Sequence, residues 1–198
     1  ESCVIGDLGD IEETKHLASQ INALGTFDAV IHNAGVYNAS PREILFINVL
    51  APYILTCLIQ KPERLIYLSS EMHLQGHPNL KSLESANPSV SYSDSKLFIW
   101  MLCKAVARRW SGVFANTVDP GWVPTKMGGP NAPDDLQQGY ETQVWLAVSD
   151  ESQSKLSGQY FFHKKVTRSN PEGDDIAIQD ELLKQCAMLT GIRFPGNL

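Results

Sequence analysis

The chain has 198 residues, 43% of them hydrophobic and 19% charged, enough for a single domain over residues 1–198 with a sizeable core. Lys and Arg number 16 against 22 Asp and Glu, a net charge of −6 that repels phosphate backbones and acidic lipid and argues against nucleic-acid or membrane-surface partners. No unbroken apolar run approaches the roughly 20 residues that span a bilayer, and the opening Glu-Ser-Cys-Val-Ile-Gly-Asp lacks the basic start and apolar stretch of a secretory leader.

Short apolar runs alternate with amphipathic stretches, the rhythm of an α/β protein. Residues 2–5 read as the end of a strand. Asp10-Ile-Glu-Glu13 has the pattern of a capping box, which predicts a helix over 11–24 closed by Gly25. Residues 27–32 are an almost wholly apolar strand, as expected where helices cover both faces of a parallel sheet. Residues 43–60 predict a helix interrupted by Pro52, followed by a strand over 64–69. Residues 71–91 predict a long loop, 91–110 the longest helix and 113–118 the next strand. Residues 120–133 carry seven Gly or Pro and are expected to be irregular. A helix over 134–148, a last strand over 159–163 and a helix over 178–190 complete the chain. Cys3, Cys57, Cys103 and Cys186 are widely spaced, so they read as free, mostly buried thiols of a reducing, cytoplasmic compartment, and no metal site is expected.

Four groups of residues carry chemistry. Asn33-Ala-Gly35 follows the strand ending at His32, and in an open parallel sheet ligands sit beyond the carboxyl ends of strands. Small residues there let a ligand approach the backbone, although a plain turn would use the same residues. Tyr92-Ser-Asp-Ser-Lys96 places Tyr and Lys four apart on a helix, hence on one face. A cation beside a phenol favours the phenolate and draws its pKa from about 10 toward neutrality, which would make Tyr92 a usable general acid or base. Tyr160 and Lys164 share that spacing on a predicted strand, where they would stand ~13 Å apart at ~3.3 Å per residue, so that pair is set aside. Ser69-Ser70 ends the strand over 64–69, where a hydroxyl can hydrogen-bond the oxygen whose proton Tyr92 handles. Asp119-Pro-Gly-Trp-Val-Pro-Thr125 follows the next strand; its Pro and Gly fix a turn that leaves N–H groups and the Thr125 hydroxyl to hold an amide or phosphate.

Taken in order, Asp7-Leu-Gly-Asp10, Asn33-Ala-Gly35, Asn48 in Phe-Ile-Asn-Val, Ser70, Tyr92-x-x-x-Lys96 and Pro120-Gly121 resemble the short-chain dehydrogenase/reductase family, over residues 7–127. The long gap from Ser70 to Tyr92 and the Ser-Lys-Leu helix start look most like its retinol-dehydrogenase-like branch. The resemblance implies a Rossmann-type doubly wound parallel sheet with helices on both faces. It also implies an NAD(P)-dependent oxidoreductase that transfers hydride between nicotinamide and a carbonyl or alcohol. On this resemblance Tyr92 is the general acid or base, Lys96 depresses its pKa and holds the nicotinamide ribose hydroxyls, and Ser70 orients the substrate oxygen. Asn48 supports a water that relays protons to Lys96. Asp7 and Leu8 flank the adenine, while Asn33, Ala34 and Gly35 line the cofactor cleft. Pro120 and Gly121 shape the turn from which Val123 and Thr125 contact the nicotinamide amide, and Trp122 and Met127 border an apolar substrate. The implied cofactor is NAD or NADP, with NADP favoured. The implied partners are a small carbonyl or alcohol and, through the apolar helix faces at 43–60 and 91–110, a second copy as a homodimer.

Three features depart from that pattern or compete with it. The family's glycine-rich phosphate turn, Thr-Gly-x-x-x-Gly-x-Gly, does not precede Asp7, so the first βαβ part of a longer natural chain is expected to be missing and the strand over 2–5 to lack a neighbour. That absence also supports a rival reading, a non-catalytic Rossmann-like binding or regulatory protein. The 15-residue span from Asn33 to Asn48 is short for the family. Ser93-Asp-Ser-Lys96 spells the S-x-x-K of a serine acyl enzyme but has none of its companion motifs. His73 and His77 sit in a Gly/Pro loop without a third ligand, so they read as solvated or substrate-loop residues rather than a metal pair.

Overall fold

The computed structural model describes residues 2–85 and 87–196. Helix α1 (Ile11–Ala23) begins where the Asp10 carboxylate accepts the N–H groups of Glu12 and Glu13 at 2.8 and 3.0 Å. The capping box does not close, because the Glu13 carboxylate instead accepts the Asp7 N–H at 2.8 Å and ties the preceding turn to the helix. Strand β1 (Ala29–His32) follows.

The next helical run starts earlier than its sequence suggests, because Ser40 and Glu43 form a reciprocal capping box ahead of Pro41. It comprises α2 (Pro41–Leu45), a π-helical turn (Phe46–Leu50) and α3 (Ala51–Leu58). Pro52 has no N–H to offer the carbonyl four residues back and its ring crowds it, so the helix widens instead of breaking. The Ala51 N–H donates to the Phe46 carbonyl, a five-residue step. The run is long and apolar enough to cross a bilayer by composition alone, yet Val49, Leu50, Tyr53 and Ile54 are all buried in the core.

Strand β2 (Arg64–Leu68) is buried along its whole length. Helix α4 (Tyr92–Arg109), strand β3 (Phe114–Asp119), helix α5 (Leu136–Val148), strands β4 (Tyr160–Phe162) and β5 (Lys165–Val166) and helix α6 (Ile176–Thr190) follow. The sheet order is β1-β2-β3-β4-β5, parallel through β4. Strand β5 is antiparallel to β4 and was not legible in the sequence. It returns through a tight turn in which His163 and Lys164 take positive φ of 46° and 61°, the conformation that matches hairpin twist.

Residues 2–5 form no ladder. Ser2 and Val4 line a small apolar recess with Ile21, Phe27 and Val30. The expected loop over 71–91 contains two 3₁₀ turns, Glu71–Gln75 and Leu80–Glu84. The apolar residues of α4 are buried inside this chain, in the larger core with α2, α3 and α6, while α5 covers the other sheet face through Trp145 and Leu146.

The turn at Glu71–Gln75 is pressed against α4 at Gly76, where an added Cβ would stand 2.6 Å from the Ser93 carbonyl oxygen and 2.8 Å from Leu97 Cβ. Gly76→Ala is therefore expected to destabilise the protein by about 1–3 kcal/mol. Urea unfolding with an unchanged midpoint would contradict this close approach.

Candidate active site

The parallel strands deliver their carboxyl ends to one edge of the sheet, and a cleft of about 1050 Å³ opens there. Its floor is Asn33, Ala34 and Gly35 after β1, Ser69 and Ser70 after β2, and Asp119, Pro120 and Gly121 at the end of β3. Tyr92 and Lys96 enter it from the first turns of α4. That helix starts where it does because Ser91 and Asp94 cap it reciprocally. The geometry puts Tyr92 at the helix mouth and Lys96 one turn deeper, where it is 5% exposed.

The Lys96 ammonium donates to the Leu68 carbonyl at 3.0 Å and lies 5.3 Å from the centroid of the Tyr92 ring. Burial lowers its pKa to about 8, and the nearby Asp119 carboxylate opposes that fall. Tyr92 does not move toward neutrality as its spacing from Lys96 suggests. Burial pushes its pKa up to about 12, although the Ser70 hydroxyl hydrogen-bonds it and pulls the other way. Loss of hydration is the largest influence on the phenol, and the Asp119 carboxylate acts in the same direction. Asp119, 8% exposed, accepts the Gly121 N–H at 2.9 Å, and burial raises its carboxyl above the usual range.

No protein-family model matches the chain. It is 39% identical, over 98% of its length and 80% of the relative, to a short-chain dehydrogenase, chyC, of Penicillium rubens. The chain belongs to the short-chain dehydrogenase/reductase family. It is also 28% identical to human retinol dehydrogenase 13, over 96% of this chain and 69% of that protein. Among solved structures, an NADPH-bound carbonyl reductase from chicken fatty liver superposes with a TM-score of 0.63 at 23% identity, covering 83% of this chain and 75% of that one.

Within this dehydrogenase/reductase fold, most of the expected site residues converge. Asn33, Ala34, Gly35, Ser70, Tyr92, Lys96, Pro120, Gly121, Val123 and Thr125 all line the cleft, as do Trp122 and Met127. Three do not. Asn48 sits in the π-helical turn behind Gly35, where its amide accepts from the Val36 N–H at 2.8 Å and donates to the Val36 carbonyl at 2.9 Å and the Ser95 hydroxyl at 3.0 Å. Its hydrogen bonds brace the loop after Gly35 from the rear. Asp7 and Leu8 belong to the turn before α1, where the Asp7 carboxylate accepts the Gly9 N–H at 2.8 Å.

Ser93 does not line the cleft, so the serine-enzyme spelling is incidental. Lys164 pairs with Glu141, away from any role with Tyr160. Among the described residues no group of His, Cys, Asp and Glu could hold a metal ion. His73 lines the cleft, as its substrate-loop reading expects, but it is not solvated: it is 1% exposed and stacks on Tyr160 with ring centroids 4.1 Å apart. No local pattern signals that burial, because Tyr160 and Asn170, which meet the ring, lie 87 and 97 residues away. Tyr37, Met72, Leu74, Phe162 and Arg168 also line the cleft without having been marked by any motif, as does Tyr160, which the sequence marks only by its spacing from Lys164.

The lowered Lys96 pKa has a consequence for stability. The folded protein releases this proton near pH 8 and the unfolded chain near 10.5, so between those values the unfolded state binds more protons and the contribution of Lys96 to stability rises with pH. Lys96→Met is expected to remove that rise. Urea midpoints of both proteins across the window measure it, and identical pH dependence would refute the buried-cation assignment.

Proposed function

We propose that the chain acts as an NAD(P)-dependent oxidoreductase on an apolar carbonyl–alcohol pair. The observation that carries this reading is the meeting of Ser70, Tyr92 and Lys96 in one cleft with the strand-end turns at Asn33–Gly35 and Pro120–Thr125. The residues present suit the nicotinamide–ribose end of such a cofactor. Gly35 packs tightly against Asn48 beside Lys96: a Cβ there would stand 3.3 Å from the Asn48 amide oxygen and 3.6 Å from the ammonium. The ammonium has three donors and the Leu68 carbonyl takes one, which leaves donors for ribose hydroxyls. Val123 and Thr125 are the candidates for the nicotinamide amide. No glycine-rich turn of the expected kind exists in this chain for the diphosphate, so no residue is assigned to it.

When bound, the nicotinamide supplies or accepts the hydride. The remaining chemistry falls to side chains. With its pKa raised to about 12, Tyr92 is a protonated phenol at neutral pH, the form that donates to the substrate oxygen during carbonyl reduction. Ser70 holds that oxygen and stabilises the charge developing on it. Tyr37, Met72, Leu74, Trp122, Met127 and Phe162, three of them aromatic, give the cleft an apolar stretch of wall, which favours an apolar carbonyl compound. NADP is the preferred cofactor by likeness to the NADPH-bound carbonyl reductase, and the free cysteines suit a cytoplasmic setting.

Tyr92→Phe is expected to cut kcat by at least about 100-fold while the Kd for NADPH stays near that of the wild type. Turnover surviving the substitution would remove Tyr92 from the reaction. Failure of the wild type to bind either NADH or NADPH would instead favour the non-catalytic reading.

A further inference from the structure

His73 stands three residues beyond Ser70 in the turn Glu71–Gln75, and both of its ring nitrogens are engaged. Nδ1 lies 2.8 Å from the Ser70 carbonyl oxygen, which can only accept, so Nδ1 carries the proton. Nε2 lies 3.1 Å from the Asn170 N–H, which can only donate, so Nε2 is bare. The partners thus dictate a neutral ring of one tautomer, and burial lowers the His73 pKa in the same sense. The Ser70 carbonyl receives a second bond from the backbone N–H of His73 at 2.9 Å.

Asn170 is itself held from several sides. Its side-chain amide donates to the carbonyls of His73 and Gly76 at 3.1 and 3.2 Å and accepts from the Glu172 N–H at 3.0 Å. The Trp100 indole N–H donates to its carbonyl at 3.3 Å. The His73 ring is therefore clamped between a fixed segment beyond β5 and the carbonyl of Ser70, with Tyr160 stacked on its face.

We propose that His73 is a positioning residue for Ser70, and that Asn170 sets the tautomer in which it does so. This rests on the oxidoreductase reading, because Ser70 is the residue through which it acts. Without the ring, the Ser70 carbonyl keeps the bond from the His73 backbone N–H and the Ser70 hydroxyl keeps the Met72 N–H at 3.3 Å, but the tie that runs from Asn170 through the ring to Ser70 is lost. Asparagine offers a side-chain N–H near the position of Nδ1 and can replace the bond to the Ser70 carbonyl; leucine fills the space and cannot.

The test measures reduction of an aromatic aldehyde with NADPH by the wild type, Tyr92→Phe, His73→Leu and His73→Asn. His73→Leu is expected to lower kcat by about 10- to 100-fold with KM changed by less than about threefold, and His73→Asn to recover most of the loss. Wild-type kcat in His73→Leu, or an equal loss in the two His73 variants, overturns the proposal, since packing against Tyr160 would then be the only role of the ring. Absence of wild-type turnover, or full activity in Tyr92→Phe, overturns the oxidoreductase reading first. Nitrogen-15 NMR of the wild type reads the ring directly, even should a variant fail to fold. Protonation at Nδ1 with a bare Nε2 is expected, and the opposite tautomer overturns the assignment.

Discussion

Two reciprocal hydrogen bonds join the end of β2 to the first turn of α4. The Lys96 ammonium donates to the Leu68 carbonyl at 3.0 Å, and the Ser69 hydroxyl donates to the Lys96 carbonyl at the same distance. All the groups involved are buried, so neither bond competes with water and neither can open without leaving a polar group unpaired. This tie holds Ser70, the next residue along, and Tyr92, one helical turn back, at fixed separation. It also costs the protein a buried cation, seen in the lowered pKa of Lys96.

Other parts of the fold support that junction from behind. The Asn48 amide reaches Ser95, whose hydroxyl donates to the Tyr92 carbonyl at 2.7 Å, so the π-helical turn is linked to the start of α4. The same amide grips Val36 and holds the loop after Gly35. Pro52 is the reason Asn48 occupies a widened turn at all. A residue expected at the reaction centre is thereby a brace for two of the cleft's walls.

The electrostatics of the cleft run against a simple pairing of Tyr92 with Lys96. Phenol, ammonium and the Asp119 carboxyl each lose hydration, and each shifts toward its neutral form. A protonated Tyr92 is ready to donate, while the charge of Lys96 depends on Asp119 and on what occupies the cleft. Spacing along a helix can place two side chains on one face, but it carries no information about the solvent removed from them.

By itself the sequence determined the α/β alternation, most strand and helix positions to within a few residues, and many of the residues that line the cleft. Each of these depends on local signals: apolar runs, the cap at Asp10, glycine at Gly25 and the short motifs at strand ends. Only the tertiary structure decided which neighbours those residues meet. It left residues 2–5 without a ladder, because a strand exists only through its partner. It placed Asp7 and Leu8 outside the cleft and Asn48 behind it. It also buried His73 between Ser70, Tyr160 and Asn170, contacts that span up to 97 residues of chain. Burial and hydrogen-bond partnership are properties of packed neighbours, and no local pattern of residues contains them.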